Sequence, residues 1–311
     1  MQKLEKHILI LNGIFYLILT LFFIYIFVKE KELVEKIKVY KEKFSLYLIE
    51  KWGIKSEGGV KAVKTTVHWV ETLGTALILV LIIQRFYIGN FMVPTGSMIP
   101  TIIPKDRLFG NMVIYKFRKP EREEIVVFKE PIQNKVLYTK RLMGLPGEKV
   151  QIKNGRLYIN NAEITSRNYL DLGMIKDKEW IIPKKGDKVK IIPYVDYETL
   201  YRQNKIDIEA VQKDLINNPG AIEQILPKIE FQVEGQTTGM ILDLIEKKDI
   251  VEKLFKGETV EYVLDEDYYM TLGDNTESSY DTRFWGFVAE SRIRGKAFVR
   301  FWPLNKISLL K

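Results

Sequence analysis

The chain has 311 residues, no cysteine, and only two histidines, His7 and His68. Without cysteine there are no disulfides, thiolate metal sites or thiol nucleophiles, and the redox compartment stays open. The shortage of histidine excludes histidine-rich metal sites. It also removes the usual base from any Ser-His-Asp triad after residue 90, unless a histidine flanking an apolar run reaches in. The same region lacks lysine and arginine runs interleaved with stacking aromatics. The net charge of +8 therefore does not read as nucleic-acid binding. No cofactor and no metal are expected.

Long apolar runs are present, and both lie before residue 90. Residues 8–28 carry no charge over 21 positions, about 31 Å of helix, which is enough to cross a hydrocarbon core. This exceeds the h-region of a cleaved leader and passes straight into Lys29-Glu30-Lys31, so it reads as an uncleaved anchor. A second span is read at about 68–88. There Glu71 and Arg85 belong near the interfaces, with Trp69, Phe86 and Tyr87 as an aromatic belt. Ten lysines and six glutamates fill residues 29–65, which makes that loop cytoplasmic by the positive-inside rule and everything after 88 extracytoplasmic. Within the loop, Leu33, Ile37, Tyr40, Phe44 and Tyr47 share one helix face, suited to anionic lipid or to a partner helix.

Beyond residue 90 the pattern is mostly β. Lys149–Ile152 and Arg156–Ile159 flank Asn154-Gly155, a two-residue hairpin signal. Ile125–Lys129, Lys188–Ile192, Tyr268–Leu272 and Lys296–Phe301 also read as strands, and Ile208–Ile216 as a helix. The expected fold is mainly β: two N-terminal transmembrane helices, then a β-rich catalytic domain interrupted by an inserted α+β cap domain. The boundaries follow as an anchor over 1–90, catalytic parts over 91–165 and 258–311, and a non-catalytic insertion over 166–257.

The stretch FMVPTGSMIPT over 91–101 bends the backbone around Ser97 with Pro94, Gly96 and Pro100. A serine on such a turn can expose its hydroxyl while neighbouring N–H groups converge, as an oxyanion site requires. Taken alone, the stretch reads more readily as a plain turn after a membrane helix. Three later stretches change its meaning: KDRLF (105–109), YTKRLMGLPGEKV (138–150) and LGDNTESSYDTRFWGFV (272–288). In this order, after paired spans, they resemble bacterial type I signal peptidases (leader peptidases), over nearly the whole chain except the middle insertion.

The resemblance implies a serine endopeptidase with Ser97 as nucleophile and Lys140 as general base. It implies an oxyanion hole from the Ser97 N–H and the Thr95 hydroxyl, where serine is commoner, and Ser279 orienting the lysine. Asp274 and Asn275, with Gly273, would shape a supporting turn, and Asp281 and Arg283 would brace the loop. Thr276, Tyr280 and Thr282 depart from the usual pattern. A lysine base must be neutral, so its pKa must fall by about 2–3 units from near 10.4; Tyr138, Leu142 and Met143 are suitable apolar company. Substrates would be secreted preproteins, cut after small residues, at the outer face of the bacterial plasma (inner) membrane. The enzyme would be multi-pass and monomeric, with the bilayer as its other partner and no nucleic acid. Phe91, Met92, Met98, Met143, Phe284 and Trp285 are candidates for an apolar surface dipping into the interface. Self-cleaving repressor-type and penicillin-binding Ser/Lys enzymes fit less well, because the chain has spans where a DNA-binding N-terminus would sit, and its one Ser-x-x-Lys is terminal. An inactive anchored binder is the competitor from another class.

Overall fold

The computed structural model describes residues 14, 17–132, 134–194, 202–203 and 229–310. The chain divides into two compact units, 1–85 and 86–311. In the first, an apolar helical stretch Leu17–Val28 precedes helix α1 (Glu30–Lys51) and helix α2 (Glu57–Phe86). Among the described residues, α2 alone is long and apolar enough to cross a membrane, over Glu57–Gln84. The expected 8–28 span falls partly outside the described residues. The expected 68–88 span is shifted, because its helix begins at Glu57 and Ile88 already belongs to a strand. The apolar face of α1 stays largely exposed, with Tyr40 at 72% and Phe44 at 53%. Ile37, Tyr40, Phe44 and Leu48 line a groove shared with Val67 and Val70, and Lys41 Nζ lies 3.1 Å from His68 Nδ1 and 3.4 Å from Glu71 Oε2.

In the second unit, β1 (Ile88–Met92), β2 (Arg107–Asn111), β3 (Ile125–Lys129) and β4 (Leu137–Gly144) open the main sheet. A second sheet follows from β5 (Lys149–Lys153), β6 (Arg156–Ile159), β7 (Ala162–Asn168) and β8 (Glu179–Ile181). A third comprises β9 (Lys188–Pro193), β10 (Ile229–Val233), β11 (Gln236–Thr238) and β12 (Val260–Val263). The chain then returns to the main sheet through β13 (Tyr268–Leu272), β14 (Val288–Ala289), β15 (Ile293–Trp302) and β16 (Ser308–Leu309). The main sheet runs β1-β2-β15-β3-β4-β13-β14, with β16 on β15.

Side-chain alternation explains why β3 and its neighbours read as unbroken apolar runs. Val126 and Phe128 enter the larger core, while Ile125 and Val127 enter a second one with Met98, Ile102 and Leu108. A strand buried on both faces leaves no polar side to see. At the β5–β6 hairpin, Asn154 has φ 49° and Gly155 φ 74°, the pair of positive values that a type I′ turn demands.

The expected insertion does not separate at its boundaries. Strand β7 runs through residue 166, β8 pairs with β5 across it, and β12 pairs with β9 across 257. One core joins Val126 and Leu142 to Phe231 and Leu254. The helix expected at 208–216 lies outside the described residues. The candidate apolar surface is also corrected. Met98, Met143 and Trp285 are fully buried, Phe91 and Phe284 partly so, and only Met92 is exposed. Each side chain that left the list packs into one of the two cores.

Candidate active site

Three segments meet at Ser97: the turn after β1, strand β4, and the loop after β13. Ser97 and Lys140 are both buried, at 6% and 4% exposure, although 43 residues separate them. Lys140 Nζ lies 2.5 Å from Ser97 Oγ. Burial pulls the lysine pKa down to about 8, with Arg283 adding to the fall and Asp281 and Asp274 opposing it. An ordinary lysine would be neutral in only about 0.3% of molecules at pH 8; this one is neutral in about half. The ring of Tyr138, two residues earlier on β4, stands 5.7 Å from the same nitrogen.

Thr95 Oγ1 is 3.4 Å from Ser97 Oγ, so a second hydroxyl borders the place where an attacked carbonyl would rest. Asn275 approaches from the other side. Its backbone N–H donates to the Ser97 carbonyl at 3.0 Å and its side-chain amide to the Gly96 carbonyl at 3.0 Å. Gly273 leaves no room for a side chain, since a Cβ there would stand 2.0 Å from Ser279 Oγ and 2.5 Å from the Ser97 carbonyl oxygen.

Ser279 lies in this packing, buried, but its hydroxyl has no hydrogen-bond partner among the described residues. The expected bond to Lys140 is therefore not made, because the amine is turned onto Ser97. Asp281 and Arg283 form a fully buried bidentate pair, Nε–Oδ1 2.9 Å and Nη2–Oδ2 3.0 Å, and Asp281 also accepts from the Gly273 N–H at 2.9 Å. Thr276 Oγ1 accepts from Arg283 Nη1 and from the Leu170 N–H, each at 2.8 Å. This departure from the usual motif thus ties the loop to the segment after β7.

Asp274 anchors the loop through residues that the sequence reading left without a role. Arg141 grips it with Nε and Nη2, each at 2.8 Å, Thr101 Oγ1 donates at 2.5 Å, and Arg167 Nη1 stands 3.4 Å away. Neither side chain of the Arg141–Asp274 pair exceeds 1% exposure. The available signal was the cation of Arg141 opening the otherwise apolar run LMG, which needs a buried anion; which anion, 133 residues away, no spacing could tell.

Residues 66–302 match the family described as signal peptidase, peptidase S26. The chain belongs to that family. Signal peptidase I of Buchnera aphidicola subsp. Baizongia pistaciae is 29% identical over 257 residues, covering 78% of this chain and 79% of that protein. Signal peptidase I of Aquifex aeolicus is 28% identical over 233 residues, covering 73% and 80%. Signal peptidase IB of Staphylococcus aureus is 25% identical over 243 residues, covering 78% and 93%. A crystal structure of a signal peptidase I from Enterococcus faecalis, 22% identical, covers 58% of this chain and 97% of that one with a TM-score of 0.25, too low to bear on the fold. The enzyme is a serine endopeptidase of the type I signal peptidases.

Proposed function

We propose that this S26 peptidase is anchored in the bacterial plasma membrane and removes signal peptides from secreted preproteins by a Ser/Lys dyad. Ser97 is the nucleophile and Lys140 the general base. The observation that carries the reading is the 2.5 Å approach of a buried amine, with its pKa near 8, to a buried hydroxyl. Neutral Lys140 takes the Ser97 proton as Oγ bonds to the scissile carbonyl carbon. The resulting oxyanion is held by the Ser97 N–H and the Thr95 hydroxyl. Protonated Lys140 then gives its proton to the leaving amine as the C–N bond breaks, leaving an ester on Ser97. Water, deprotonated by the same amine, hydrolyses that ester. Buried Ser279, whose hydroxyl has no partner among the described residues, is the group that would accept from the ammonium once it forms, offsetting the cost of an unsatisfied hydroxyl.

The topology belongs to the same proposal: spans before residue 87, the lysine-rich hairpin cytoplasmic and the β-rich unit outside. The proposed enzyme is monomeric. The stretch over 166–257 elaborates the fold and supplies no reacting group.

Two measurements test this reading. kcat/KM should rise with pH through an apparent pKa near 8 and then level, because the neutral amine is the working form. A profile still climbing at pH 10 would mean that Lys140 is not the base. Thr95→Val keeps the side chain's shape but loses the donor, and should lower kcat about 100-fold with little change in KM. Thr95→Ser should stay near the parent, and equal activity in the valine and parent enzymes removes Thr95 from the oxyanion site.

A further inference from the structure

The oxyanion donor proposed above is a backbone N–H, and a backbone N–H points where its peptide plane points. The Ser97 N–H shares one planar trans peptide with the Gly96 carbonyl, so the two groups face opposite ways. Glycine permits that plane to turn at little cost, and composition alone therefore leaves the donor free to swing. In the structure it is held. The Gly96 oxygen accepts from the Ile99 N–H at 3.1 Å and from the Asn275 side-chain amide at 3.0 Å, which fills both of its lone pairs. The next plane is held too, because the Ser97 carbonyl accepts from the Asn275 N–H at 3.0 Å.

We propose that Asn275 is a positioning residue for the oxyanion donor, its side-chain amide fixing the Gly96–Ser97 peptide and with it the aim of the Ser97 N–H. The proposal rests on the Ser97 nucleophile reading. The tether is firm because its own base is firm. Asp274, the preceding residue, is gripped by Arg141 and by Thr101, and Thr101 lies on the far side of the same nucleophile turn. The loop after β13 thus clamps the turn at Gly96–Ser97 and again at Thr101. An amide donor is required at 275. A carboxylate of the same shape would set a charged oxygen against the Gly96 oxygen and push the peptide away.

Asn275→Asp in the full-length enzyme, reconstituted in phospholipid vesicles and assayed on a preprotein, is the test. We expect kcat to fall about 100-fold with KM within threefold of the parent, the signature of an interaction made only in the transition state. A peptide aldehyde, whose carbonyl becomes tetrahedral on Ser97, should weaken by the same factor, while a non-cleavable substrate peptide binds unchanged. Asn275→Ala, which keeps the backbone bond to Ser97, should behave alike and decides the matter if the aspartate variant does not fold. A kcat within threefold of the parent overturns the proposal. So does parallel weakening of the aldehyde and the ground-state peptide, which marks simple loss of the binding surface. Ser97→Ala is run beside them. If it still cleaves, the nucleophile reading falls; if it is dead while Asn275→Asp turns over normally, only the positioning proposal falls.

Discussion

Replacing Ser97 by alanine is expected to lower kcat for preprotein cleavage by about five to six orders of magnitude, and Lys140→Met to do the same. The double variant should be no worse than either single, because nucleophile and base act as one unit and removing either leaves only binding and oxyanion stabilisation. Single-turnover cleavage with excess enzyme measures all three. A double variant far below both singles would show two independent contributions and would dismantle the dyad. The two variants should differ in stability. Lys140 has a pKa of about 8 when folded and an ordinary 10.5 when unfolded, so the unfolded chain binds more protons between those values. The burial cost is therefore fully present below pH 8, fades as pH rises, and is gone above 10.5. It is on the order of 3 kcal/mol. Lys140→Met should then melt above the parent at pH 7, with the gap closing towards pH 10. A gap that is constant with pH would mean that the lysine is not held at a depressed pKa.

Asp274→Ala should cost about 3–5 kcal/mol of stability, which is enough to unfold a marginal domain. The reason is the partner left behind. Arg141 is 1% exposed, and removing the carboxylate takes away the oxygens that its buried Nε and Nη2 donate to. Arg167, 28% exposed, can turn to water; Arg141 cannot. The double variant Arg141→Met/Asp274→Leu should recover most of the loss, since a buried pair replaced by apolar residues of similar size is often neutral. Activity should stay low in both, because the loop has lost its hold on Thr101 and on Asn275. Denaturant unfolding of the three proteins measures the stabilities. Asp274→Ala no less stable than the parent would mean that the pair carries no net weight.

These expectations draw unequally on sequence and structure. Strands β3 and β13 and the β5–β6 hairpin were legible because their signals are local: apolar runs between turn residues, and Asn-Gly where both φ values must be positive. The face of α1 was legible as a face, but what covers it was not, since lipid and a partner helix ask for the same apolar stripe. The insertion boundary was drawn from composition. Composition changes near residue 166, but β-pairing ignores composition, and β8 returns to β5 across that point.

The sequence by itself placed Ser97 on a bent turn, left no histidine other than His7 and His68, and set an apolar run ahead of that turn. Those conclusions follow from what residues are present and absent, and need no partner to be known. Tertiary structure alone decided that the Lys140 pKa falls, since the fall comes from burial among segments distant in sequence. It alone turned Arg141 onto Asp274, sent Met98, Met143 and Trp285 inward, and set Asn275 against the peptide before Ser97. Each of these is a contact between side chains or planes that face each other only after the sheet has closed, and no spacing along the chain encodes that geometry.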